Sequence, residues 1–89
     1  MTNFTDLLFT VHMHLPGATQ ATFDFPNGYG ISVITGKHAY TSPASPYEVA
    51  VVLHGALCYD TPITDDVLGW QTADDISKVM AQLEALPTP

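Results

Sequence analysis

Two alternating runs flank Pro26-Asn27-Gly28, and no other feature of the chain narrows its fold as far. From Thr19 to Phe25, Ala21, Phe23 and Phe25 fall on one side, with Thr22 and Asp24 on the other. Tyr29 to Thr35 follows, rich in isoleucine and valine. A period of two is the signature of a strand with one face buried. Asn-Gly between two such runs predicts a tight antiparallel hairpin, because both residues tolerate positive φ. The Gly28-Tyr29-Gly30 pair belongs to that turn. It lacks the following helix and the lysine of a phosphate-binding loop.

The same reading extends along the chain. Thr5 to Leu15 alternates, with Leu7, Phe9, Val11, Met13 and Leu15 opposite Leu8, Thr10, His12 and His14, and so predicts a half-buried strand ended by Pro16-Gly17. Gly36 to Pro46, with two prolines, two serines and a glycine, reads as a long loop. Tyr47 to Leu53 reads as a strand of mostly buried character, His54-Gly55 as a tight turn, and Ala56 to Asp60 as a short strand pairing back.

At the C-terminal end the period changes. Ile76, Val79, Met80, Leu83 and Leu86 form one apolar stripe at helical spacing. Thr72 is placed to cap that helix, and Asp75, three residues on, to complete a capping box. Asp74 and Asp75 suit the positive end of the helix dipole. Pro87 ends the helix.

The predicted order is β-β-β-β-β-α. Short links make antiparallel pairing dominant, and the helix stripe needs a sheet face to cover. The expected fold is a single α+β domain over residues 1–89: an antiparallel sheet of four to five strands with one C-terminal helix packed on one face. The other sheet face, with Leu8, Ile34, Ala50 and Val52, is left partly apolar. It must meet solvent, the long loop or another chain.

Composition removes several classes of function. The chain has 89 residues, enough for one core that removes roughly 60–65% of the unfolded surface from water. Nine acids stand against two lysines, Lys37 and Lys78, for a net charge of −7. Nucleic-acid binders displace counterions with basic groups, so direct DNA or RNA binding is not expected. The same shortage argues against sites for phosphorylated substrates. An acidic surface suits a basic protein partner. No apolar run is long enough to span a membrane. MTNFTDLLFT lacks the basic start of a secretory signal, so the expected compartment is the cytoplasm. A single cysteine, Cys58, agrees with a reducing environment.

The candidate chemical groups are few. His12 and His14 share a predicted strand face about 7 Å apart, a spacing that holds a metal only if further ligands such as His38, His54 or an aspartate converge. On that view the chain is a small metal-dependent hydrolase. The simpler reading is a pair of polar residues on a solvent face. Cys58 near His54 has the elements of a nucleophile and base, but a cysteine between leucine and tyrosine reads first as a small buried hydrophobe. Asp60, Asp65 and Asp66 could act as paired acids. The residues from Leu57 to Trp70 fit better as a connector from sheet to helix. Thr64 caps a short turn with Asp65 and Asp66 at its positive end, Ile63 and Leu68 form a hydrophobic staple, and Gly69 closes the turn. Trp70 then packs under the main helix or stays half exposed. Six of the nine acids lie between Asp60 and Glu84, a grouping that could imitate a phosphate backbone.

Three segments together carry a resemblance: FPNGYGISVI (Phe25 to Ile34), YEVAVV (Tyr47 to Val52) and GALCYDTPITDDVLGW (Gly55 to Trp70). They resemble a family of small uncharacterised proteins of tailed bacteriophages and prophages, over roughly Phe23 to Leu86; the N-terminal 20 residues are less typical. The resemblance implies viral origin, expression in the bacterial host cytoplasm and action by binding a host protein. It supplies no catalytic residues and no cofactor. The expected function is therefore non-enzymatic: a modulator or inhibitor of a bacterial host protein, a defence system such as CRISPR-Cas being one form of target. The expected contact residues are Tyr40, Tyr47, Asp65, Asp66 and Trp70, since aromatics anchor interfaces and acids steer basic partners. The alternative is a self-associating accessory domain, most simply a homodimer formed through the spare sheet face or an open strand edge.

Overall fold

The computed structural model describes residues 3–11, 17–36, 46–58, 61–63 and 67–88. Among them, six strands form one antiparallel sheet: β1 (Thr10–Val11), β2 (Ala18–Asp24), β3 (Tyr29–Gly36), β4 (Tyr47–Leu53), β5 (Ala56–Leu57) and β6 (Leu68–Gln71). A 3-10 turn at Phe4–Asp6 precedes them, and a helix, α1 (Ala73–Ala85), follows. The α+β architecture read from the sequence is the one observed. The strands pair in the order β1-β2-β3-β4. Because β3 occupies one edge of β4, β5 and β6 share the other, end to end.

Register decides the faces. Ala21 pairs with Val33 and Phe23 with Ile31, and these in turn pair with Val49 and Val51 on β4. That row points at α1, where Ile76, Val79, Met80 and Leu83 close the core with Phe25. Ile31, Val33, Val49, Ile76, Met80 and Leu83 are fully buried. The helix therefore lies where its stripe requires, on one sheet face. The opposite face carries Gln20, Thr22 and Asp24 on β2, Ser32 and Ile34 on β3, and Ala50 and Val52 on β4. It is polar on the β2 side, where the Gln20 amide donates to the Ser32 hydroxyl at 2.8 Å, and apolar toward β5.

The predicted Asn27-Gly28 hairpin forms, by a different turn. Gly28 N–H donates to the Phe25 carbonyl and Phe25 N–H to the Tyr29 carbonyl. Gly28 alone of the pair has positive φ, at 92°. Pro26 fixes the first central position of a type I turn, and the glycine after it takes the left-handed conformation. Asn27 is released for another task. Its amide donates to the carbonyls of Leu83 (2.8 Å) and Leu86 (2.9 Å), while its Oδ1 accepts from Tyr29 N–H at 3.1 Å. The last turn of α1 holds no basic residue; Asn27 adds a second donor to the Leu83 carbonyl, which also accepts from Leu86 N–H, and pairs the carbonyl of the C-cap residue Leu86. Asn27→Asp keeps the acceptor, removes both donors and sets a negative charge at the negative end of the helix. It should cost about 2–3 kcal/mol in urea unfolding. Unchanged stability would show that the hairpin does not hold the helix end.

The second hairpin has the expected His54-Gly55 turn, but its return strand is Ala56–Leu57 rather than Ala56 to Asp60, whose last two residues lie outside the described ones. His54 and Gly55 both have positive φ (50° and 84°), the type I′ signature of a two-residue turn between Leu53 and Ala56. His54 N–H donates to the Gly28 carbonyl at 2.9 Å, and its ring fills the space beside Gly28, where a Cβ would lie 2.6 Å from the imidazole. The two turns thus pack on one another at one end of the sheet.

Two expectations need correction. The N-terminal strand does not begin at Thr5. Asn3 Oδ1 accepts from Thr5 N–H and the Asp6 carboxylate from Asn3 N–H, a capping box that curls Phe4–Asp6 into a turn. Pairing starts at Thr10, opposite Gln20. Leu7 and Phe9 face the core as the alternation requires, but Val11 is 79% exposed. The second correction is that the chain before α1 is not all connector, since Leu68 to Gln71 forms a sixth strand. Cys58 N–H still donates to the Val51 carbonyl, so a continued hairpin would set residue 60 against Val49. Leu68 stands there instead. Residues 61–63 are described outside the strands, and the chain pairs with the same edge of β4 again at Leu68, ten residues after Cys58. Gly69 lies within this strand rather than closing a helical turn. The proposed Thr64 cap, residues 12–16 and most of the 36–46 loop lie outside the described residues.

Candidate functional site

The rejoined strand carries the chain's single tryptophan. Between the pairs Val49–Leu68 and Tyr47–Gln71, one β4 residue faces two of β6, a bulge. Trp70 occupies it with φ 52° and leaves its side chain 59% exposed. A left-handed backbone costs a side chain with a Cβ roughly 1–2 kcal/mol, and for a bulky aromatic it is a rare outlier. Such strain persists only where the surroundings impose it, and it concentrates at functional positions. The Gln71 amide donates to the Gly69 carbonyl at 2.9 Å. That bond, with the bulge, blunts an open edge against further strand pairing. The edge therefore suits side-chain recognition better than strand addition.

Immediately beyond Trp70 the helix begins. The predicted capping box is present in full: Asp75 N–H donates to Thr72 Oγ1 at 3.2 Å, and the Asp75 carboxylate accepts from Thr72 N–H and Oγ1, each at 2.9 Å. These bonds, the backbone one foremost, hold the Asp75 carboxyl below its usual range; Lys78 adds a smaller pull in the same direction. The stability this contributes is present above the unfolded value of about 3.9 and is lost as pH falls through the lowered folded value. In urea unfolding from pH 5 downward, Asp75→Asn should therefore flatten the acid loss of stability. An unchanged pH slope would contradict it.

Asp74, exposed in the same first turn, adds charge beside Trp70 in sequence. The 3-10 turn bearing exposed Asp6 docks on this part of the helix, with Phe4 N–H donating to Ser77 Oγ at 3.0 Å. Exposed Trp70 thus stands in the sequence just before a helix whose first turn carries Asp74 and Asp75.

Of the other expected contact residues, Tyr47 alone lies among the described residues. Tyr47 is half-buried, its ring against Phe4 (5.1 Å) and Phe9 (5.8 Å) in an aromatic cluster that seats the N-terminal segment. Tyr40, Asp65 and Asp66 lie outside the described residues, as do His12, His14, His38 and Asp60. Cys58 is a half-buried free thiol packed against the core, in keeping with its reading as a hydrophobe. His54 serves the turn. Among the described residues no three His, Cys, Asp or Glu side chains group as metal ligands, and no helix is long and apolar enough to cross a membrane. Leu8 and Val11, next to or on β1, are each 79% exposed. Sequence reasoning named Trp70 but missed its backbone conformation. The available signal was the preceding Gly69, a residue common at bulges.

No family model, no curated protein and no solved structure matches this chain.

Proposed function

We propose that the chain is a non-enzymatic, phage-encoded protein that acts by binding a protein of the bacterial host, as a modulator or inhibitor. The observation that carries this reading is Trp70, an indole held outward on a left-handed bulge at a blunted sheet edge. Exposed tryptophans dominate interface energetics. Asp74 and the net charge of −7 supply the long-range attraction that steers a basic partner. A defence complex, whose nucleic-acid-binding surface is basic, has the required charge.

Affinity capture from a susceptible host lysate tests this. A specific protein should be retained at low salt and released as ionic strength rises toward 0.5 M, because screening then reaches the contact distance. Nothing retained above background, or retention indifferent to salt, would contradict the reading.

A second reading, self-association, is favoured by Leu8 and Val11, two exposed apolar side chains at the β1 edge. A homodimer through that edge gives twice the monomer mass in light scattering at high concentration, returning to the monomer in the double variant Leu8→Ser, Val11→Ser. A monomer mass throughout removes it.

A further inference from the structure

The sheet face away from α1 carries a stripe along β4. Val49 and Val51 point into the core, so Glu48, Ala50 and Val52 point to the other side. Val52 pairs there with Leu57 of β5. At the other end of β4, Leu68 pairs with Val49 and Gln71 with Tyr47, on the core side, and the bulge sets Gly69 and Trp70 against Glu48. Leu57 and Trp70 are each 59% exposed. Their counterparts Val52 and Glu48 stand four residues apart, so the two exposed side chains flank one strand edge about 13 Å from each other. Between them Ala50 and Val52 are half-buried, and Ile34 of β3, paired with Glu48, widens the apolar surface.

Two carboxylates border this stripe. Glu48 is half-buried between Trp70 and Ile34. Near Val52, Gly30 has no side chain, and Asp24 Oδ1 and Val52 Cγ2 close on the space its Cβ would take, at 2.7 and 2.8 Å. The one lysine among the described residues, Lys78, is on α1, across the sheet from both acids. A surface that closes over the stripe takes Glu48 out of water, and a desolvated carboxylate is costly unless a cation meets it. The occupant therefore has to bring that cation. A second copy laid face to face sets these acids against the same acids and keeps its own Lys78 behind its sheet.

We infer that this stripe is the docking face for a partner protein whose surface joins an apolar ridge to a basic side chain. The ridge lies on Ala50 and Val52 between Trp70 and Leu57, and the basic group meets Glu48. This rests on the reading that the chain binds a host protein through Trp70. It adds where the contact extends, over the sheet and away from the helix.

The test uses the full chain as bait in a susceptible host lysate and measures the protein that the unaltered chain retains. Glu48→Gln and Glu84→Gln change the net charge equally, but Glu84 is exposed near the end of α1 and not on this face. Glu48→Gln should weaken retention about tenfold or more, and Glu84→Gln less than about twofold. Leu57→Lys, at an exposed position, should weaken it about tenfold with the urea midpoint unchanged. In the unaltered chain, methyl resonances of Ile34, Ala50, Val52 and Leu57 should shift when the retained protein is added, and those of Leu83 should not. Equal losses from the two glutamine variants, full retention of Leu57→Lys, or methyl shifts confined to α1 would overturn the inference and leave host binding standing. A dimer of the chain alone that Leu57→Lys dissolves would put a second copy on the stripe and overturn it as well. Nothing retained by the unaltered chain would overturn the broader reading, and this inference with it.

Discussion

Leu83→Ala is expected to lower the unfolding free energy by about 2–5 kcal/mol. Leu83 is fully buried in the layer between α1 and the sheet, in one cluster with Ile31, Val33, Val49, Val51, Ile76, Val79 and Met80. Truncation removes the transfer free energy of its Cγ and two methyl groups and leaves a cavity that close-packed neighbours fill only in part. A domain of 89 residues has roughly 5–10 kcal/mol of stability in total, so this one change takes a large share of it. Urea unfolding checks the prediction through a lower midpoint at unchanged slope. A cost under about 1 kcal/mol, the range of surface changes, would mean that the helix is not seated on the sheet.

The second large effect concerns Trp70 and has two readouts. Trp70→Gly and Trp70→Ala remove the same indole. They differ only in how a Cβ tolerates φ 52°. Alanine in a strand is ordinarily the more stable of the two by about 0.5–1 kcal/mol; at positive φ the order reverses. The glycine variant should therefore be more stable than the alanine variant by about 1 kcal/mol in urea unfolding. Both should weaken capture of the host partner by thirtyfold or more, the scale of losing a hot-spot aromatic. An alanine variant as stable as the glycine one would remove the left-handed bulge. Undiminished capture by both would remove the anchor.

The sequence was informative where one physical rule acted alone. The Ile76-to-Leu86 stripe and Thr72-x-x-Asp75 fixed the helix and its cap, because period and capping are local. His54-Gly55 and β4 were legible for the same reason. Reading failed where two local rules competed. Asn3 and Asp6 closed a turn inside an alternating run, and Pro26 before Asn27-Gly28 selected a type I turn over the mirror form. Other failures lay in long-range pairing. Nothing near Leu68 announces that it takes the position opposite Val49 left by a departing strand, since that choice depends on a partner edge some twenty residues away. The left-handed Trp70 follows from that pairing, and the Gly69 before it was the one local sign of a bulge. The contact role given to Tyr47 came from residue type, whereas its ring packs against Phe4 and Phe9.

The central proposal, that Trp70 meets the partner, has a direct spectroscopic test. The chain has one tryptophan, so biosynthetic labelling with 5-fluorotryptophan gives a single fluorine resonance to watch against an unlabelled partner. Adding the protein recovered by capture should shift that line, as the indole moves from water into a protein contact. A line that stays in place while the complex demonstrably forms would show that the partner binds elsewhere.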